Sequence, residues 1–205
     1  DFNRNLTEVG SAWLPAERRG EIFHRFVLGT YGLLERLLTA FPHILLEGCS
    51  SGGGRYDPAM LYYSPQYWTS DDTDARERLD VQRGVYTFYP QSAVSAHVSM
   101  APHQQTLRNT PLSTRFNVAA FGAFGYELDF GELTPNERKQ IKEQIAFYKA
   151  NRELFQYGSF RRYFPKEGAR ESRQIEKDGK IAAAIFNLTY HTSPARDVLR
   201  IRAAE

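Results

Sequence analysis

Up to about residue 153 helical and extended patterns alternate along the chain, and beyond it the helices stop. Glu21 to Leu38 predicts a helix. Ile22, Phe26, Leu33 and Leu37, with Phe23, Val27, Leu34 and Leu38 beside them, make one wide apolar face. Pro42 lies just past it, where a helix has to have ended. His43 to Gly48 then reads as a short strand buried on both faces, as in a parallel sheet. Tyr67 to Ser70 reads as a second short strand, Asp72 to Arg83 as a charged helix, and Ser95 to Ser99 as a third strand. Phe116 to Phe121 reads as helix and Phe124 to Leu128 as a fourth strand. Thr134-Pro135-Asn136-Glu137 opens the longest expected helix, which runs to about Glu153. It has an N-cap, a proline at the first position and an acid three residues after the cap.

After Phe155 the period changes. Phe160 to Phe164, Gln174 to Lys177, Lys180 to Tyr190 and Val198 to Arg202 read as strands, and Asp178-Gly179 is a hairpin-turn signal. The expected fold is therefore α/β. Residues 1–153 read as half of an eight-stranded (β/α)8 TIM barrel, and residues 154–205 as part of an antiparallel β domain. The chain lacks an initiator Met and its last strand pattern stops mid-course, so it reads as an excised piece.

Composition narrows the partners. A net charge of +2 gives no reason to expect nucleic acid or an anionic membrane as partner. No apolar run reaches the length of a membrane-spanning helix. One cysteine, Cys49, rules out an intrachain disulfide and is compatible with a reducing compartment, with a cytoplasmic setting as the default. The 12 Tyr and 14 Phe suggest an aromatic-rich core before they suggest a stacking surface.

The chemistry is concentrated between Leu46 and Ala75, where a glycine run, a cysteine, aromatics and an acidic cluster share thirty residues. Gly52, Gly53 and Gly54 add no apolar area and cost backbone entropy, so they belong where the chain turns sharply or a ligand approaches it. The loop lacks the Gly-Lys-Ser/Thr of a phosphate loop. It reads either as a tight turn or as a loop whose N–H groups meet ligand hydroxyls. Ser70-Asp71-Asp72-Thr73-Asp74 reads as a capped helix start, as an acid placed at a strand end, or as part of a metal site, though convincing further ligands are missing nearby. Cys49 has no histidine in a familiar catalytic pattern, and His97 reads as a hydrogen-bonded core group before a base.

Three segments together resemble the glycoside hydrolase family 36 α-galactosidases: Asp1-Phe2-Asn3-Arg4-Asn5-Leu6-Thr7-Glu8, Glu47 to Arg55, and Trp68 to Asp74. Their order and spacing match too, and the similarity continues through Ser95 to Ser99 and Arg115 to Leu128. The resemblance implies a retaining α-galactosidase with a (β/α)8 catalytic barrel. It implies Asp1, opening Asp-x-Asn-Arg, as nucleophile and Asp71 of Trp-Thr-Ser-Asp as acid/base. Cys49, Gly52 and Trp68 would line the galactose pocket, with Asn3 in the same shell. No metal or organic cofactor is implied. The substrates would be α-galactoside oligosaccharides such as melibiose, raffinose and stachyose. The parent protein would be a homo-oligomer, a homotetramer in many bacterial members. Two rivals stay open: a galactosyl transferase resembling raffinose synthases, and, for the isolated piece, a non-catalytic sugar-binding fragment. Alone, the piece is expected to be inactive.

Overall fold

The computed structural model describes residues 10–164, 170–189 and 201. The chain packs as two units, 1–95 and 96–205.

In the first unit a 3-10 stretch, Ala16–Glu21, runs into helix α1, Ile22–Ala40. The periodicity that predicts α1 is correct, but only Ile22 of it is buried. Phe23, Val27, Leu28 and Leu33 stay exposed. Tyr31 ties α1 to the turn before Met60, its hydroxyl donating to Asp57 Oδ2 at 2.9 Å. Strand β1, Glu47–Gly48, pairs in parallel with β2, Gln66–Tyr67, so that Gly48 faces Tyr67. Val94 bridges Tyr67 in parallel as well. Parallel pairing is what the α/β expectation required. The first strand is shorter than expected, however, and is not covered on both faces. Ile44 N–H donates to Phe41 carbonyl at 3.2 Å, which makes a turn of residues 41–44. His43, Ile44 and Leu45 are exposed. Strand β2 also ends early, at Tyr67. Helix α2, Ala75–Val85, starts three residues later than expected, because Asp74 is its N-cap.

Three tyrosines brace this unit. The Tyr56 ring stacks on Tyr67 with centroids 4.3 Å apart and on Tyr89 at 4.0 Å. Burial pushes the Tyr67 hydroxyl up to about 12 and raises that of Tyr56 as well.

The second unit takes in β3, Ser95–Ser99, from Ala96 onward, and β3 pairs with β4, Ala123–Glu127. Helix α3, Leu112–Ala119, lies between them in sequence. Helix α4, Pro135–Ala150, carries the expected capping box: the Thr134 hydroxyl accepts from Glu137 N–H while Glu137 accepts from Thr134 N–H. It is not the longest helix, having 16 residues against 19 in α1. Nor does it reach Glu153, because Asn151 leaves helical geometry and α5, Arg152–Tyr157, starts anew. Strands β5 (Ser159–Tyr163), β6 (Arg170–Lys177) and β7 (Lys180–Asn187) form an antiparallel sheet in that order. The β6–β7 hairpin turns at Asp178 and Gly179, with φ of 51° and 74°, the pair of positive angles a tight primed turn needs. Val98, Phe116, Phe121, Tyr148, Phe155 and Ile175 share one core. Of the expected Val198–Arg202 strand only Ile201 is among the described residues.

Gly48 gives the sharpest test of this packing. A Cβ there would stand 1.8 Å from the Tyr67 ring, which the Tyr56 stack keeps from retreating. Gly48→Ala in the full-length protein is expected to cost about 2 kcal/mol or more. Gly84→Ala, in α2 with nothing within 4 Å, is expected to be neutral or to stabilise by up to about 1 kcal/mol. Denaturant titration of the two variants checks the contrast. Equal stabilities would contradict the packing.

Candidate active site

The chain leaves β1 through Cys49 into a left-handed turn. Ser50, Ser51, Gly52 and Gly53 have φ of 59°, 52°, 77° and 92°. Gly53 N–H donates to Cys49 carbonyl at 2.9 Å and Gly54 N–H to Ser50 carbonyl at 3.0 Å, closing one turn of left-handed helix. A non-glycine residue in that region costs roughly 1–2 kcal/mol, and two serines adopt it here, so neighbouring structure must hold the turn in place.

That neighbour is the segment leaving β2. A Cβ on Gly52 would lie 3.0 Å from Ser70 Cα and 3.2 Å from Asp71 N. A Cβ on Gly53 would lie 3.1 Å from the Trp68 carbonyl oxygen. The glycine turn therefore rests backbone on backbone against Trp68–Asp71. Trp68 N–H also donates to Gly48 carbonyl at 2.6 Å. Both segments follow paired parallel strands and leave them on the same side, which is why the turn and the acid meet.

Asp71 is exposed, and its Oδ1 accepts from the Trp68 indole N–H at 3.0 Å. Its second oxygen has no hydrogen-bond partner among the described residues. One oxygen is thus fixed by the protein, and the other can meet a ligand. The neighbouring acids serve the backbone. Asp72 Oδ1 accepts from Asp74 N–H at 3.0 Å, and Asp74 Oδ1 accepts from Arg76 and Glu77 N–H at 2.7 and 3.2 Å. The capping reading of this acidic run therefore holds for Asp74, which Asp72 braces through its N–H, while Asp71 stands apart from both.

The structure thus brings Gly52, Trp68 and Asp71 together, while Cys49, which opens the turn, lines a cavity to which none of these three contributes; Asp1 and Asn3 lie outside the described residues. Cys49 is half-buried and lines a cavity of about 520 Å³ with Arg55, Tyr67 and apolar residues of α1. Trp68 is itself buried, and the Arg78 guanidinium lies 4.3 Å above its ring. Arg78 is a neighbour of these residues that the sequence analysis did not single out. Its signal was present: the buried residues of α2 are Ala75, Arg78, Leu79 and Gln82, a helical stripe in which an arginine takes an apolar position. Among the described residues no three His, Cys, Asp or Glu side chains converge to hold a metal ion.

Parallel strands with helices between them, and loops at the strand ends, are the arrangement found at the loop face of α/β barrels. The sequence model of the melibiase family matches residues 1–158. The chain belongs to the melibiase family. It is 46% identical over 198 residues to alpha-galactosidase 1 of Pediococcus pentosaceus, covering 95% of this chain and 27% of that protein. It is 53% identical over 169 residues to alpha-galactosidase AgaA of Geobacillus stearothermophilus, covering 82% of this chain and 23% of that protein. A crystal structure of an AgaA variant in complex with raffinose, described as a GH36 alpha-galactosidase, superposes with a TM-score of 0.92 at 43% identity, over 98% of this chain and 28% of that one. The fold is that of the C-terminal part of a (β/α)8 barrel followed by part of an antiparallel β domain. The chain spans about a quarter of the length of the curated relatives it matches.

Gly52→Ala tests the contact. The new methyl group meets Ser70 and Asp71 backbone, and the positive φ adds strain, so the acid must shift. A misplacement of about 1 Å costs about a hundredfold in rate, so the few tenths of an ångström by which the Ser70–Asp71 backbone must give is expected to lower kcat/KM of the full-length protein by up to about tenfold. Activity within twofold of wild type would show that the glycine is not what positions Asp71.

Proposed function

We propose that the full-length protein hydrolyses terminal α-galactosyl residues of α-galactosides by a retaining double displacement. The observation that carries this reading is the close approach of Gly52 to Ser70 and Asp71, which brings side by side two motifs that resemble those of the α-galactosidases. In this reading Asp1 attacks the anomeric carbon and Asp71 protonates the leaving oxygen. Asp71 then takes a proton from the water that releases galactose. Retention needs the two carboxyl groups about 5–5.5 Å apart, so that no water fits between nucleophile and sugar. The Asp71 oxygen that Trp68 does not hold is the one assigned to the glycosidic oxygen. Cys49, Gly52 and Asn3 are assigned to the sugar pocket, with Trp68 forming its wall and orienting the acid.

The substrate class follows the relatives. AgaA variants have been crystallised with raffinose and with stachyose, and the present chain is proposed to serve oligosaccharides of the same kind. The division into a catalytic barrel segment, 1–153, and a β segment, 154–205, belongs to the same proposal. What supports it is the change from parallel β1–β2 pairing to the antiparallel β5–β6–β7 sheet.

Stereochemistry tests the mechanism. Proton NMR of early melibiose hydrolysis by the full-length protein is expected to show α-galactose first, with the β anomer growing in by mutarotation. β-Galactose as the first product would mean inversion, and the covalent role of Asp1 would fall with it.

A further inference from the structure

We propose that Arg78 is the positioning residue for the Asp71 carboxyl, an inference that rests on the functional reading above. Arg78 is almost fully buried on α2. Its Nη1 donates to Thr69 Oγ1 at 3.2 Å, its Nη2 donates to Ser70 carbonyl at 2.6 Å, and its Cζ lies 4.3 Å from the Trp68 ring centroid. One guanidinium thus touches the three consecutive residues that precede Asp71. Trp68, the first of them, donates to Asp71 Oδ1.

The segment needs such a clamp. Strand β2 ends at Tyr67, and among the described residues no ladder bond fixes the backbone beyond Trp68 N–H. Gly52 and Gly53 limit how far it can move, but by contact alone. Arg78 supplies direction, through its bonds to Thr69 and Ser70. Its planar fork reaches two acceptors while its face lies over the indole. An ammonium group is a point charge and cannot do both. Burying a cation costs several kcal/mol before its partners repay it, and an apolar residue at position 78 would glue helix to turn at lower cost. A guanidinium kept there, bonded to this turn, is accounted for by the orientation it imposes. The indole ring it holds then presents its N–H to the acid.

The test uses the full-length enzyme and a panel of aryl α-galactosides of graded leaving-group pKa. A well-placed acid matters most for poor leaving groups. Arg78→Met is expected to lower kcat/KM by about a hundredfold on the poorest leaving group and far less on the most activated one. Arg78→Lys is expected to fall between it and wild type, and it serves as the readout if the methionine variant does not fold. Asp71→Ala, run on the same panel, is the reference. Its dependence on the leaving group should be the steepest, and adding Arg78→Met to it should cost little more, because both changes act through one carboxyl. If Arg78→Met and Arg78→Lys lower all substrates equally, Arg78 is only a packing residue and the inference is overturned, while the functional reading stands. If Asp71→Ala shows no leaving-group dependence, the acid/base reading fails and the role of Arg78 fails with it.

Discussion

Between Gly52 and Asp71 two stretches of backbone meet with no side chain separating them, and the candidate site depends on that approach. It is possible only because the chain leaving β1 turns left-handed through Ser50–Gly53, a conformation two of those residues adopt at a cost. The parallel pairing of Glu47–Gly48 with Gln66–Tyr67 sets the register that brings the two strand ends level. Gly48 is the floor of the same arrangement, since only a residue without a Cβ leaves room for the Tyr67 ring. The column Tyr67–Tyr56–Tyr89 then holds the end of the glycine loop against β2. A sequence rich in glycine and tyrosine over a short span thus becomes a rigid support for one carboxyl.

Chemistry enters where that support stops. Asp74 caps α2 and Asp72 accepts from Asp74 N–H, whereas Asp71 is exposed with one oxygen held by an indole. Three neighbouring acids therefore have separate roles, set by local hydrogen bonding. Helix α2 returns Arg78 beneath the same turn, so the helix that Asp74 caps also carries the clamp on the residues before Asp71.

Much of this was legible in the sequence, where a local pattern had one physical solution. The capping box at Thr134 and the Asp178-Gly179 turn formed as read, because each is settled within four residues. The Ser95–Ser99 strand was also read at its observed limits. The misreadings came where distant structure decides. His43–Leu45 is apolar enough for a strand, but Phe41–Ile44 forms a turn and the strand is confined to Glu47–Gly48. The strand read at Gln174–Lys177 starts four residues earlier, at Arg170, as the central strand β6. Arg173 there bonds Glu171 at 2.6 Å with both side chains fully buried. Arg78 was passed over for the same reason: a charged residue in a charged helix reads as surface until its partners are known. The site motifs were legible as a set, but the glycine contact and the indole bond were not, since neither follows from spacing alone.

The most direct test is a crystal structure of the full-length Asp1→Ala variant with intact melibiose bound. The Asp71 oxygen left free by Trp68 should lie about 3 Å from the glycosidic oxygen, with the Cys49–Gly52 turn beside the galactose ring. A galactoside whose glycosidic oxygen faces Asp72 or another carboxyl, with Asp71 turned away, would contradict the assignment.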